Sequence, residues 1–185
     1  GRKGPTVVTG GRNVIIGPGR WNVDADTPIP TTTNPSDHVQ YRVFTITGQT
    51  GEVHLYRVLC DNPDNRHHDV LTGGGRDATW FIQHCRFVNQ RGIVGGWHSD
   101  IVQPWSGLNA LGMDRVSIQT NYQGIYLSGY PVGSYAFSRM DLRHTPSPVQ
   151  SSLFWLGGRP GVMDEVYAES PRRIDGDDGP VKWIV

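Results

Sequence analysis

A strand-like motif recurs along this chain with the period of a solenoid coil. The clearest pair is His67-His68-Asp69-Val70-Leu71 and His98-Ser99-Asp100-Ile101-Val102, which are offset by 31 residues. Residues 122–127 and 151–156 continue the same column. Spacing of this kind indicates a repeat architecture, in which each repeat is one supersecondary unit stacked on the next. The apolar positions of the column step by 31, 24 and 28 residues through Val70, Ile101, Ile125 and Leu153.

A second column of short strands precedes the first in each repeat. Its runs are only four to six residues long and are too short to fold alone. Stacked in register, such runs pair their backbones with the coils above and below, about 4.8 Å away. A β-sandwich, the main alternative, shows strands every 8 to 12 residues without a longer period. The two columns therefore predict an all-β fold, a right-handed single-stranded parallel β-helix of about six coils. The anchors of this second column are Val58, Phe87, Ile118, Leu142 and Ala168.

Composition supports an all-β chain and excludes two classes of partner. Glycine (24) and proline (13) are abundant, and only 18% of the 185 residues are charged, so amphipathic helices have little to be built from. The formal net charge is zero, which argues against a nucleic-acid partner. No apolar run reaches the length of a membrane span. The two cysteines, Cys60 and Cys85, are too few for a disulfide framework and are predicted to be small buried hydrophobic residues.

The repeat divides the chain into a solenoid and a tail. Residues 1–170 are predicted to form the parallel β-helix, with residues 21–40 as a long lateral loop that lacks strand alternation. Residues 171–185 break the repeat and are predicted to cap the last coil, because an open coil end is an exposed sheet edge. Within this tail, residues 181–185 are predicted to form a closing strand.

Strand alternation sorts the first column into an inner and an outer set. With Val70, Ile101, Ile125 and Leu153 facing the core, Thr72, Gln103, Leu127 and Trp155 are expected to face it partly. The outer set then carries His67, Asp69, His98, Asp100 and Tyr122 together with Leu71, Val102, Tyr126 and Phe154. Such a surface suits either sugar stacking on aromatic rings or burial against another copy of the chain. The candidate ligand-binding residues are His67, Trp97, Gln103, Trp105 and Tyr126.

Two aspartates and one histidine are the candidate catalytic residues. In-register stacking would place Asp69 and Asp100 roughly 5 Å apart. Two carboxyl groups at that distance would raise the pKa of one of them, which supplies an acid and a base for glycosidic cleavage. Alternatively, His98 would act as a general base beside Asp100. The competing hypothesis is that all three are solvated outer-face residues without a catalytic role.

Metal and cofactor sites have little support in the sequence. Asp61, Asp64 and His67 lie in one polar turn, and a calcium site there stays open although the spacing matches no recognised calcium loop. A zinc site of His67, His68 and His98 is disfavoured because adjacent strand residues point to opposite faces. The glycine pairs lack the lysine and helix of a phosphate loop and are predicted to be coil corners. We therefore predict no metal ligands and no cofactor.

Three segments carry a resemblance to a known superfamily: residues 12–19 (RNVIIGPG), 98–103 (HSDIVQ) and 124–127 (GIYL). Over roughly residues 6–170 the chain resembles the pectate-lyase-like right-handed parallel β-helix superfamily. The resemblance implies polysaccharide lyases, glycoside hydrolases and phage tailspikes or tail proteins, in an extracellular or virion-associated setting. The calcium-binding aspartates and catalytic arginine of pectate lyases have no match here, and only Asp69 and Asp100 match the three aspartates of polygalacturonases.

These observations favour a glycan-binding β-helix module of a phage tail or secreted surface protein. The first alternative is a polysaccharide lyase or glycoside hydrolase acting on an acidic or cell-surface polysaccharide. The second is a structural or assembly subunit without catalysis, with a homo-oligomer as one form of it. Fold analogy alone does not decide among them, because one fold hosts many functions.

Overall fold

The computed structural model describes residues 2–23, 42–62, 69–92, 99–146, 152–157, 159–170 and 181–184 of the chain. Short strands dominate these residues, as expected for runs rich in β-branched and aromatic residues between glycine, asparagine and proline. The strands are β1 (Arg2–Gly4), β2 (Thr6–Thr9), β3 (Val14–Ile16), β4 (Gly19–Val23), β5 (Phe44–Thr47), β6 (Glu52–Tyr56), β7 (Val58–Asp61), β8 (Leu71–Gln83), β9 (Arg86–Gln90), β10 (Val102–Gln103), β11 (Leu108–Asp114), β12 (Ser117–Thr120), β13 (Ile125–Tyr126), β14 (Val132–His144), β15 (Phe154–Trp155), β16 (Gly161–Ser170) and β17 (Val181–Ile184).

The strands stack into three parallel walls. The first wall contains β2, β5, the start of β8, β10, β13 and β15. The second contains β3, β6, the end of β8, β11 and the first parts of β14 and β16. The third contains β4, β7, β9, β12 and the second parts of β14 and β16, with β1 beside β4. The chain therefore visits the walls in turn and rises by one strand spacing per coil.

This arrangement confirms the predicted all-β, parallel β-helix class. The described residues contain no α-helix. None of them forms a helix with the length and hydropathy that a membrane crossing needs. The coil number is close to the predicted one, although the later coils reduce the first wall to the two-residue strands β10, β13 and β15.

The first predicted ladder is wrong by one residue at Ile125, because Gly124 is the residue in line with Ile101 and Leu153. Val102 pairs with Leu71 on one side and with Ile125 on the other, and Ile125 pairs with Phe154. The shift arises at Gly124, whose carbonyl oxygen accepts from the backbone N–H groups of both Ile101 (2.9 Å) and Val102 (3.0 Å). A one-residue slip moves side chains to the other face of a strand.

The predicted facing is wrong for several side chains. Leu71 and Val102, expected on the outer surface, are fully buried in the core. Phe154 is half-buried and packs against the core, whereas Trp155, expected to face it, is 42% exposed. Tyr122, also expected outside, is buried.

The second predicted ladder is confirmed over four of its five anchors. Phe87 pairs with Ile118, Ile118 with Leu142, and Leu142 with Ala168. The residue below Phe87 is Cys60, not the predicted Val58. Cys60 and Cys85 are both buried and free, as predicted, and burial raises the pKa of the Cys85 thiol to about 11.

A regular bend joins the second wall to the third. In five successive coils it is made by a non-glycine residue in the left-handed backbone region, with φ between 51° and 54°. Among non-glycine residues, mainly asparagine, aspartate and histidine adopt this conformation, which costs roughly 1–2 kcal/mol. We call this row the left-handed corner; its members are Arg57, His84, Arg115, Arg139 and Glu165.

The ends of the chain refine the predicted domain plan. The strand β17 pairs antiparallel with β16, through Ala168 and Trp183 among others, so the predicted closing strand is present. Trp21, assigned to the lateral loop, instead lies in β4, where it is buried with its ring centroid 5.2 Å from that of Phe44. The rest of that loop, from residue 24 to residue 40, and residues 171–180 of the tail lie outside the described residues.

Candidate functional site

Five of the eight predicted site residues belong to the described part of the chain. His67, Trp97 and His98 lie in the segments 63–68 and 93–98, which are outside it. The remaining five fall into two groups at the first wall. Asp69 and Asp100 directly precede the wall, while Gln103, Trp105 and Tyr126 lie at its far end.

Asp69 and Asp100 form a buried carboxyl pair, which corrects their predicted place on the outer surface. They are only 3% and 1% exposed. The backbone N–H of Asp100 donates to the Asp69 carboxylate at 3.1 Å. The Nε of Arg42 donates to the other Asp69 oxygen at 3.0 Å, and this ion pair is itself largely buried. Alternation does not hold here because both aspartates lie before their strands begin, where the chain is still bending into the wall.

The two carboxyl groups have different electrostatic surroundings. Arg42 compensates the charge of Asp69. Both oxygens of Asp100 are buried and accept no hydrogen bond from the described residues. Burial raises the pKa of the Asp100 carboxyl well above the usual range for aspartate, and the negative charge of Asp69 raises it further. The pair is thus one charged carboxylate beside one carboxyl group that favours its neutral form.

Aromatic side chains gather around the outer end of the first wall. Tyr126 pairs in register with Trp155, and their ring centroids are 5.8 Å apart. The Tyr130 ring lies edge-on to Tyr126 at 5.6 Å, and its hydroxyl accepts from the Gln103 amide at 3.2 Å. Trp105 lies two residues after Gln103 in the chain and is 38% exposed. We call this group the aromatic corner, and it consists of Gln103, Trp105, Tyr126, Tyr130 and Trp155.

Three successive β-turns build this corner. Each is closed by a backbone hydrogen bond from its fourth to its first residue: Gly107 to Pro104 (2.8 Å), Tyr130 to Leu127 (3.3 Å) and Arg159 to Leu156 (3.3 Å). The second and third turns lie on one another, because a Cβ at Gly157 would come within 2.9 Å of Ser128. Stacked turns hold the aromatic rings on a fixed backbone.

Arg159 adds a cation to the aromatic corner. Its Nη2 donates to the carbonyl oxygen of Tyr130, whereas its Nε is buried without a partner among the described residues. No carboxylate in the described part of the chain forms an ion pair with it. The corner therefore offers N–H donors beside aromatic rings, which is a combination that polar ligands with apolar faces can use.

The carboxyl pair and the aromatic corner influence each other electrostatically. Burial raises the pKa of the Tyr130 hydroxyl, and electrostatic coupling to the nearby acidic groups of Tyr126, Asp100 and Asp69 raises it further. The pKa of the Tyr122 hydroxyl is raised in the same way, first by burial and then by coupling to Asp100. Both tyrosines therefore remain neutral hydrogen-bonding groups at ordinary pH.

The structure thus brings together Gln103, Trp105 and Tyr126, three of the predicted ligand-binding residues. Sequence reasoning missed Tyr130 and Arg159, and placed Trp155 on the wrong face. The turn residues Ser128-Gly129 and Gly157-Gly158 are the sequence signal that could have located Tyr130 and Arg159, each at the fourth position of a turn.

The described residues give no support to the calcium alternative. Asp61 accepts from Arg20 at 3.0 Å and from Asn89 at 2.8 Å, so its oxygens are engaged by protein donors. Asp64 and His67 lie outside the described residues. Within the described ranges, no three histidine, cysteine or acidic side chains are grouped as a metal site would need.

Comparison with known proteins leaves the fold as the main guide to function. The chain matches no family model, and the curated proteins and the solved structures likewise give no match.

Proposed function

We propose that this chain is a glycan-binding module that uses the aromatic corner as its binding surface. The observation that carries the proposal is the exposed Trp155 packed against Tyr126, whose ring also contacts Tyr130, with a second exposed tryptophan, Trp105, in the turn that follows Gln103. Monomeric proteins seldom leave large aromatic side chains in contact with water in a group. Such a group is a recurrent sign of a ligand surface.

Sugar chemistry matches this surface. The C–H faces of a pyranose ring are apolar and pack on aromatic rings, while its hydroxyl groups need hydrogen-bond partners. The Gln103 amide, the Tyr130 hydroxyl and the Arg159 guanidinium supply such partners next to the rings. Binding to rings held by a rigid backbone costs little conformational entropy.

The proposed setting is a phage tail or a secreted surface protein, extracellular or virion-associated. It is supported by the parallel β-helix fold together with the superfamily resemblance of residues 12–19, 98–103 and 124–127. A solenoid suits this role, since stacked coils present an extended wall along which a polymer can lie.

A second candidate function, cleavage of a polysaccharide by a lyase or hydrolase, is favoured by one observation. Asp69 and Asp100 form a pair in which, among the residues that the structure describes, a cation compensates Asp69 alone, and an acid and a base paired in this way suit glycoside cleavage. Their burial, at 3% and 1% exposure, supports a structural role instead, because a catalytic carboxyl group must reach the substrate. The role of His98 remains a prediction.

A glycan array tests the binding proposal directly. The wild-type chain is expected to retain a defined set of glycans, and Trp155→Ala is expected to lose them. Val162→Ala is a matched control, because Val162 is an exposed apolar residue on a different wall. Equal retention by wild type and Trp155→Ala, or retention of no glycan at all, would contradict the proposal.

A cleavage assay tests the second candidate function. Release of reducing ends or unsaturated uronates from the retained glycans would reveal cleavage. Asp100→Asn should abolish that release if Asp100 is catalytic, with binding kept. Release that is unchanged in Asp100→Asn would remove Asp100 from the mechanism.

A further inference from the structure

Arg159 is placed differently from the other arginines whose side chains the structure describes. All of these arginines except Arg42 and Arg159 are exposed, so water solvates their charge. Arg42 forms the buried ion pair with Asp69 at 3.0 Å. Arg159 forms no ion pair with any carboxylate of the described residues. In this part of the chain, Arg159 is therefore the partly buried arginine that lacks a counter-charge.

The guanidinium of Arg159 is held in place by the turn that precedes it along the solenoid. Its Nη2 donates to the carbonyl oxygen of Tyr130, and its backbone N–H donates to Leu156 at 3.3 Å. Its Nε is buried and has no hydrogen-bond partner among the described residues. A guanidinium has five N–H donors, and the Tyr130 carbonyl is the one acceptor that it uses in the described ranges. Most of its hydrogen-bonding capacity is thus left over at a fixed position.

The partial burial of this cation is unfavourable unless something compensates its charge. A charge that is withdrawn from water loses solvation, and a nearby charge of the opposite sign is what usually offsets that loss. Buried polar groups normally have partners, and one that has none calls for a specific explanation such as a bound ion. Donation to the Tyr130 carbonyl alone does not require a cation, because a neutral amide can also donate a hydrogen bond. The environment of Arg159 therefore favours a ligand that carries a negative charge.

The buried carboxyl pair does not supply this compensation. Both aspartates are close enough to Tyr130 for electrostatic coupling to its hydroxyl. However, the charge of Asp69 is already compensated by Arg42. Burial raises the pKa of Asp100 well above its usual range, so its neutral form is favoured. The positive charge of Arg159 is therefore not cancelled by this pair.

We propose that the glycan bound at the aromatic corner is anionic, and that Arg159 binds its carboxylate or sulfate group. The inference rests on the proposed glycan-binding function and adds the class of sugar to it. A guanidinium binds oxyanions such as carboxylates through two parallel N–H···O bonds, which are stronger than hydrogen bonds between neutral groups.

The cation and the aromatic rings belong to one connected group. The Trp155 ring packs on Tyr126 at 5.8 Å, and Tyr126 contacts the Tyr130 ring at 5.6 Å. The carbonyl oxygen of Tyr130 in turn holds the Arg159 guanidinium. A sugar whose ring stacks at this corner can therefore direct an acidic substituent toward the cation.

Matched pairs of ligands test the inference on the intact chain. Oligosaccharides that contain glucuronate or galacturonate are compared with their carboxyl-reduced forms, in which –CH₂OH replaces –COO⁻ and every linkage is kept. In calorimetric titrations at low salt, the wild type should bind the reduced form at least about tenfold more weakly, because a hydrogen bond to a charged group is lost. Sulfated oligosaccharides and their desulfated forms are measured in the same way. The pair with the larger difference identifies the anionic group as carboxylate or sulfate.

Substitutions at Arg159 separate a binding role from a structural one. Arg159→Gln should bind the acidic and the neutral form with about equal affinity, because the charge that distinguishes them is gone. Arg159→Lys keeps the charge and should retain part of the preference for the acidic form. Arg86→Gln is the matched control and should bind as wild type, because Arg86 is an exposed arginine on the third wall. A merely structural role of Arg159 would instead lower the affinity for both forms by the same factor.

The possible failures are distinguishable. Equal affinity of the wild type for acidic and neutral forms, or an equal loss for both forms in Arg159→Gln, would overturn the role of Arg159 and leave glycan binding intact. Absence of binding to every acidic and neutral oligosaccharide would overturn the glycan-binding function itself, and this inference with it.

Discussion

The backbone N–H of Asp100 donates to the carboxylate of Asp69 across two neighbouring coils, at 3.1 Å. The bond connects two residues 31 positions apart, which is one repeat of the motif that defines the fold. It also holds two carboxyl groups together inside the protein, and within the described ranges a cation lies beside Asp69 but not beside Asp100. This pair gives the fold a testable dependence on pH.

Replacing Asp100 by asparagine should stabilise the protein at neutral pH. The pKa of Asp100 is raised in the folded state, so its charged form is disfavoured there and its contribution to stability is lost as the pH rises through the folded pKa. We expect Asp100→Asn to increase the free energy of unfolding at neutral pH, because the amide occupies the same site without the charge that burial disfavours.

Urea unfolding between pH 4 and pH 8 measures this effect. Wild type should approach the variant in stability as the pH falls toward the unfolded pKa, and the gap should widen as the pH rises. A gap that does not vary with pH would show that Asp100 is not the titrating group.

The buried ion pair between Arg42 and Asp69 should be required for stability. Arg42→Gln removes the cation of a buried ion pair, and such losses typically cost about 3–5 kcal/mol. Adding Asp69→Asn to Arg42→Gln removes that charge and should recover part of the loss. A double-mutant cycle of unfolding free energies gives the coupling, and additive effects would mean that the two residues do not interact.

Two glycines with similar backbone angles should respond differently to alanine. Gly73 (φ 111°) has the Ile46 carbonyl oxygen 2.1 Å from the place of a Cβ, whereas Gly129 (φ 81°) has nothing within 4 Å. Gly129→Ala should cost about 1–2 kcal/mol, from backbone strain alone. Gly73→Ala should cost clearly more because the backbone of the coil below would have to move. Thermal melts of both variants check the order, and equal losses would contradict the stacking of these coils.

The period of the apolar residues was enough to predict the fold class and most of one ladder. Phe87, Ile118, Leu142 and Ala168 repeat at strand centres, where alternation decides which residues are buried. At Gly124 the chain carries no side chain to distinguish the two registers. Trp155 is expected in the core because alternation is counted from Leu153, which lies just before the strand Phe154–Trp155, where alternation does not hold.

Other features have no signal in a single sequence. Arginine and glutamate, which hold four of its five positions, are not residues that favour positive φ, so the left-handed corner could not be predicted from their identities. The burial of Asp69 and Asp100 depends on how the chain bends before each strand and on an arginine 27 positions from Asp69. Those contacts arise only once the coils are stacked.

The central functional claim is that the aromatic corner binds a glycan, and a calorimetric titration of an array-selected glycan tests it most directly. Wild type should bind, and Trp155→Ala should weaken binding by about thirtyfold, as removal of a central aromatic contact of roughly 2 kcal/mol implies. Trp155→Phe, which keeps a ring, should lose less, and Val162→Ala should bind as wild type. Affinity that is the same for wild type and Trp155→Ala would contradict the account.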